Sequence, residues 1–494
     1  MVTPSIKLDV PRRVLDRVSF TDGTLEDLEA WMKRLPREPE AAARELRNGL
    51  MQLNRAKSFF TARFPELELL RPKVHAVCRS LGESAEGKRL AQMLQMELST
   101  GYQVAVVETI EEQVPLEGGG AVDSPSGMAI VSIHRALSEM GETLLRALQF
   151  DAPSPSDLWT ETHQLYLLAE SAGVLEVEVR DDLDRVRDRT RVVDAWLRVV
   201  LLGSTDPNAL RRAQLSELHE LLSDWTRLVE VCREAPEGHA AVVVDLHGAG
   251  PPERGTGGDL EGPSAARWLE ASALVEALRE RIAGRGLGAQ APALPNASAR
   301  ILAEYAQRIW GAQAERGSDR LDAPGEAELC VGWASVHRRL RGTLDDEPVH
   351  LLTISDASPG GYGLTTGEAL PDRLQTGELV AVRRRGTHPW QVAVVRWRAG
   401  TPALARIGIE LLSPRAEAAA ARHEGDAEHT TVRWSPVLLL PEIAALRRPA
   451  TLIVPRGRFV NGSRLTLRRH RGTSTITLGR ARSFAESFEE FSIS

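Results

Sequence analysis

The stretch "TISDASPGGYGL", residues 353–364, closes a β-rich run with Asp356, Ser358 and a Pro-Gly-Gly turn, then becomes apolar again. Two strands joined by a tight turn are the direct reading, because Gly and Pro punctuate strands and Asp or Ser side chains satisfy turn backbone. One residue separates Asp356 from Ser358, so on an extended chain both point to the same side. The strand is expected to end there, leaving a carboxylate and a hydroxyl side by side at the surface. Gly360 and Gly361 lack a Cβ and can take positive φ, which lets a ligand ring or another backbone come close. A carboxylate accepting two parallel N–H donors suits the N1–H and N2–H2 edge of guanine, by the logic of charge-assisted bidentate recognition. The same residues also make an ordinary Asx turn, so the surroundings have to decide between turn and site.

Those surroundings are β-rich. From about residue 326 the apolar period switches from 3.6 to 2: "ELCVGWASV", "VHLLTIS", "LVAVRRR", "QVAVVRWR" and "ARIGIELL" run or alternate for five to eight residues between Gly, Pro and Asp. Five or six short antiparallel strands over residues 315–415 predict a small barrel or sandwich. Trp333, Trp390 and Trp397 are expected to pack it. Arg383, Arg384 and Arg385 lack interleaved aromatics and read as a solvated strand end. A polar linker (415–430) leads to a short β-rich C-terminal extension, 416–494, with an Asn461-Gly462 hairpin signal.

Residues 1–235 read as an all-helical domain, a bundle or irregular solenoid without a fixed repeat. "TLEDLEAWMKRL" starts with Thr24 and has Asp27 three residues on, a capping-box-like start. The Gly-rich stretch 112–127 lacks the Lys-Ser/Thr of a phosphate-binding loop and reads as a linker. "EVEVRDDLDRVRDRTRVVDAW" mixes both charge signs and is expected to be a solvated helix face. Residues 236–314 form a linker strand, "HAAVVVDLHGAG", plus a helical segment. That segment ends in an amphipathic helix carrying Ile301, Leu302, Tyr305, Ile309 and Trp310. The fold class is therefore multidomain α + β.

With 494 residues, 42% hydrophobic and 26% charged, the chain has material for two to four globular domains. A net charge of -7 argues against nucleic acid as the partner of the whole chain, although the Arg-rich stretch 456–472 is a local exception. Cys78, Cys232 and Cys330 lie in apolar neighbourhoods without metal-ligand spacing and read as buried free thiols. His75, His134, His163 and His219 stand singly on helices and read as core or surface residues. No apolar leader and no membrane-length apolar run are evident, so the expected location is the cytoplasm. Nucleophile-elbow, paired-carboxylate, metal and dinucleotide patterns are absent. The expectation is a non-enzyme without a cofactor.

Ahead of the β region, "ERGSDRLDAPG" places Arg316 and Arg320 four residues apart. Such a pair can grip phosphates bidentately and stack on purine faces. An Arg-x-x-x-Arg loop, then strands, then Asp-x-Ser-x-x-Gly, then "LQTGELVAVRRRG", "WQVAVVRW" and "ARIGIELL" resembles a PilZ domain over residues 315–415. The resemblance implies a six-stranded β-barrel that binds cyclic di-GMP. It implies phosphate and guanine contacts for Arg316 and Arg320, guanine-edge contacts for Asp356 and Ser358, and close approach at Gly360 and Gly361. The spacing from Arg320 to Asp356 is long and includes the acidic insert 344–348, and Glu315, Asp319 and Asp322 crowd the arginines. Arg338, Arg339 and Arg341 lie nearer to Asp356 and form an alternative phosphate grip. The expected function is a cyclic di-GMP receptor or effector whose helical region relays the signal to a protein partner. The rival is a scaffold with a degenerate barrel, assembling with motility, pilus or envelope machinery.

Overall fold

In a computed structural model, the structure describes residues 8–494 apart from 82–83, 118–120, 122, 150–153, 237–240, 255–264, 286–290, 312–324, 344–347, 359, 369, 372, 387–388, 402–403, 425–433, 443–448, 471 and 485–486. The chain divides into two compact units. One comprises Met1–Thr205 with Arg212–Ala314, the other Asp206–Arg211 with Glu315–Ser494.

The first unit contains helices α1 (Leu25–Arg34), α2 (Pro39–Arg55), α3 (Phe60–Ser80), α4 (Ala85–Glu111), α5 (Pro125–Gln149), α6 (Leu158–Ser171), α7 (Val192–Gly203), α8 (Arg212–Trp225), α9 (Ser272–Ile282) and α10 (Ala297–Trp310). Thr24 caps α1 as its sequence predicts, its Oγ1 accepting from the Asp27 amide at 3.1 Å. Helix α7 is apolar apart from Asp194 and Arg198 and is buried from Val192 to Leu202 except at Arg198, which makes it a core helix. The expected linker strand, Val242–Asp245, belongs to a four-stranded antiparallel sheet with Ala266–Glu270, Glu230–Cys232 and Glu253–Arg254. Cys78 and Cys330 are buried and Cys232 is half-buried, and none of the three is in a disulfide. Among the described residues no helix is long and apolar enough to cross a membrane.

The charged stretch 176–196 is not a solvated helix. Glu178–Arg180 pairs with Arg189–Arg191 as a two-stranded ribbon, and α7 starts only at Val192. Long-range ion pairs override the local pattern here. Asp181 accepts from Arg71 Nη1 at 2.7 Å and lies 3.2 Å from Arg135 Nη1, all three buried. Behind them, burial pushes the Glu139 carboxyl up, but His75 and Arg71 outweigh it and hold it at about 2. A buried charge that lost such partners would cost several kcal/mol (~3–5), so the ribbon is tied to the helices by charge.

The second unit consists mainly of two closed six-stranded antiparallel barrels. The first contains β1 (Gly325–Val331), β2 (His350–Ser358), β3 (Gly361–Thr366), β4 (Leu379–Arg384), β5 (Gln391–Thr401) and β6 (Leu404–Ser413), with α11 (Trp333–Leu340) between β1 and β2. What reads as a C-terminal extension is a full second barrel: β7 (Glu417–His423), β8 (Ser435–Leu440), β9 (Thr451–Pro455), β10 (Arg464–Arg469), β11 (Gly472–Phe484) and β12 (Phe488–Ile493). Around the first barrel the order is β1-β2-β3-β6-β5-β4, closing on β1; around the second it is β7-β8-β9-β12-β11-β10, closing on β7. The two orders are the same. Asn461-Gly462 does form a turn, with Gly462 at φ +82°, but β9 and β10 on either side of it pair with other strands rather than with each other.

Each barrel has its own apolar interior. Leu352, Ile354, Leu364, Val380, Val395, Ile407 and Ile409 fill the first, and Ala421, Val437, Leu452, Leu465, Leu467 and Phe491 the second. A third cluster lies between them. It joins Cys330, Val336, Leu379, Ala381, Val392 and Val394 of the first barrel and α11 to Leu438, Leu440, Ile453 and Phe488 of the second. His337 Nε2 donates to the Ala419 carbonyl at 2.9 Å across this seam.

Candidate functional site

Strand β2 continues through Ser358, so Asp356 is not exposed by the strand ending there. Strict alternation from the inward-facing Leu352 and Ile354 would aim Asp356 into the barrel. A bulge prevents this. Ile354 pairs with Leu364 and Asp356 with Gly363, which leaves Ser355 as an extra residue. The inserted residue flips the parity. Ala357 then packs on the interior cluster, while Asp356 and Ser358 take the outer face. Ser355 Oγ donates to Asp356 Oδ2 at 3.0 Å.

Strand β5 has the same device. Val395 pairs with Ile409 and Trp397 with Gly408, so a bulge at Arg396 turns Trp397 outward. The expectation that Trp397 packs the barrel is corrected on this point. Trp390 is also outside the interior, with the Arg383 and Arg339 guanidiniums 4.6 Å and 5.9 Å from its ring centroid, and Trp333 packs on the seam.

Cross-strand pairing then sets up one row on the outer surface. Trp397 of β5 faces Gly408 of β6, Gly408 faces Gly363 of β3, and Gly363 faces Asp356 of β2. A methyl group built on Gly408 would collide with the Trp397 indole, and one on Gly363 with the Asp356 carboxylate. The two glycines therefore form a floor on which an aromatic plane and an anion rest. A planar ligand with an N–H edge finds a stacking partner and a bidentate acceptor over neighbouring strands.

The glycines singled out in sequence behave differently from expectation. Neither Gly360 nor Gly361 has positive φ. Gly361 is backed by β6, where a Cβ would strike the Ile409 carbonyl, so its missing side chain serves strand packing. Gly360 is exposed, and among the described residues beyond its chain neighbours Ser358 Oγ is nearest to a Cβ position, at 3.9 Å. Gly363, Gly408 and Trp397 were the residues that sequence reasoning missed. A Gly every second residue in "GGYGL" was the one available signal for Gly363.

Arg316 and Arg320 lie outside the described residues. The first described residue after them, Gly325, pairs with Ile354, immediately before the bulge. The alternative grip is placed on and beside α11. Arg338 and Arg339 are on α11 and Arg341 caps its C-terminal end, and α11 packs on β1, β4, β7 and β8. Helix α11 is thus on the seam side of the barrel. Arg383 and Arg385 form ion pairs with Glu328 and Glu326 at 2.5 Å and 2.6 Å, as a solvated ladder does.

Comparison with known proteins meets this geometry directly. A family model described as the middle PilZ domain of the cyclic-di-GMP receptor FimW matches residues 341–418. The central barrel belongs to the PilZ domain family. On either side of the PilZ domain, models of the FimW N-terminal domain and C-terminal β-barrel domain match residues 26–236 and 419–494. The cyclic-di-GMP receptor FimW of Pseudomonas aeruginosa is 28% identical over an alignment of 581 residues, which covers 99% of this chain and 93% of that protein. The three matched domains follow one another along the chain, and the PilZ domain carries the Trp397–Asp356 row.

Proposed function

We propose that this chain is a bacterial cyclic di-GMP receptor that binds the nucleotide on the outer face of its PilZ barrel. The observation that carries the reading is the row Trp397–Gly408–Gly363–Asp356, with Ser358 beside it. Asp356 accepts from a guanine N1–H and N2–H2, Ser358 supplies a hydroxyl, Gly360 leaves the approach open, and Trp397 offers its face to a base. A base–aromatic stack contributes about 1–3 kcal/mol and a hydrogen bond to a carboxylate about 1.5–3 kcal/mol. Arg316 and Arg320 supply the phosphate contacts. Arg320 is five residues before Gly325, within roughly 17 Å of extended chain from the bulge. The protein acts by binding rather than catalysis, needs no cofactor, works in the cytoplasm where such a messenger is sensed, and passes its state to a protein partner through the helical region 1–235.

Isothermal titration with cyclic di-GMP tests this on the full chain. Wild type should bind, Asp356→Ala and the Arg316→Ala/Arg320→Ala pair should each lose affinity at least about tenfold, and Arg338→Ala/Arg341→Ala should not. A flat wild-type trace refutes the reading and favours the scaffold alternative. Loss confined to the Arg338/Arg341 variant moves the phosphate grip to α11.

A further inference from the structure

Six residues of the chain cross from one unit into the other and back. Asp206–Arg211 belong with the barrels, although Thr205 before them and Arg212 after them belong with the helices. The segment is short, and it is gripped. Arg211 Nε donates to the Thr376 carbonyl at 2.7 Å, its Nη2 lies 3.9 Å from Glu378, and Thr376 Oγ1 donates back to the Asn208 carbonyl at 3.2 Å. Leu210 is buried.

The turn it grips is itself bonded to β5. The Gly377 amide donates to the Val395 carbonyl at 2.8 Å, and the Val395 amide donates to the Glu378 carbonyl at 3.0 Å. Arg398 Nη1 donates to the Leu374 carbonyl at 3.0 Å. Val395 and Arg398 flank the bulge that turns Trp397 outward. The segment is therefore tied, through one turn, to the backbone that aims the stacking residue.

Both ends of the segment are fixed in the helical unit. Gly203 leaves no room for a Cβ against the Trp159 ring, and Ser204 Oγ accepts from Trp310 Nε1 at 3.0 Å. At the other end Gln149 Nε2 donates to the Arg212 carbonyl at 3.3 Å and to Ser216 Oγ at 2.6 Å. A short connection held at both ends and in the middle cannot absorb a displacement by slack. The chain runs directly from the Arg211 clamp into the first turn of α8, and two residues separate Asp206 from the end of α7.

We propose that Asp206–Arg211 is a strap through which occupancy of the PilZ face is passed to α7 and α8, with Arg211 as the positioning residue. This rests on the nucleotide-binding reading above and adds its route of output. Binding that settles Trp397 biases the β5 bulge, the 374–378 turn follows, and the strap carries the change to the core helix α7.

Hydrogen–deuterium exchange of the full chain with and without cyclic di-GMP tests the strap, with titration run alongside. In wild type, saturating nucleotide should change exchange in α7 and the first turns of α8 by about fivefold or more. Arg211→Ala and, independently, Thr376→Val should keep affinity within about threefold while that remote change is lost, because each removes a clamp bond and no ligand contact. Protection at β2 and β3 should persist in both variants, which separates a lost relay from lost binding. The strap is overturned if wild type binds but α7 and α8 do not respond, or if they respond equally in both variants. A wild type that binds no nucleotide overturns the parent reading, and the strap falls with it.

Discussion

The two barrels share one strand order and put the same part of it to opposite uses. In the first, the outer faces of the second, third, sixth and fifth strands carry Asp356, Gly363, Gly408 and Trp397. In the second, the outer faces of the second, third and sixth strands carry Leu438, Leu440, Ile453 and Phe488, all buried against the first barrel. A glycine floor under a carboxylate and an indole suits a planar polar ligand. An aliphatic and aromatic surface suits another protein surface, because it must leave water. The difference teaches that strand order supplies a frame, whereas the outward residues of a few strands decide what the frame holds.

The largest expected effect breaks the comparison on the docked side. Phe488→Ala should cost about 3–5 kcal/mol in chemical denaturation, since it empties a nearly fully buried site in the seam. A cost below about 1 kcal/mol would show that this face is not held as described. On the open side, Asp356→Ala should weaken nucleotide binding about 10–100-fold with an unfolding midpoint close to that of wild type. If instead stability falls and affinity holds, Asp356 is part of the frame. Gly408→Ala should cost about 1–3 kcal/mol by forcing the Trp397 indole off its floor. Its affinity for nucleotide should drop with it, and quenching of indole fluorescence by the ligand reports the displacement.

The smallest effect is a pH response limited to the seam. Burial holds the His337 ring below its ordinary value, aided by Arg341 and opposed by its bond to the Ala419 carbonyl. A folded-state pKa below the unfolded one contributes stability that is fully present above the unfolded value of about 6.5 and is lost as pH falls through the folded value. Mild acid should therefore loosen the two barrels, seen as faster exchange of amides in β8 and β9, and His337→Gln should flatten that dependence.

Much of the fold was legible in the sequence. The period-2 runs "LVAVRRR" and "QVAVVRWR" became β4 and β5, and the capped, periodic start at Thr24 became α1. These features are local, and local patterning reports which face of an element is buried. Failures came where distant partners decide. The charged stretch 176–196 became a ribbon because Arg71 and Arg135 meet Asp181 from other elements. The Asn461-Gly462 turn is present, yet the strands beside it pair elsewhere because closing a barrel assigns partners globally. The candidate site was half visible: Asp356 and Ser358 declare themselves by residue type and spacing, and Trp397 does not.

The sequence alone placed five or six barrel strands in residues 315–415 and one turn carrying Asp356, Ser358 and glycines. Side-chain period and turn chemistry depend only on neighbours along the chain. The tertiary structure alone decided that Asp356 faces outward. One extra residue at Ser355 reverses the parity, and only pairing with β3 reveals where that residue falls. It alone also brought Trp397 into line with Asp356, and gave the second barrel's corresponding face to the first. Both depend on which strands become neighbours, a choice set by barrel closure and burial.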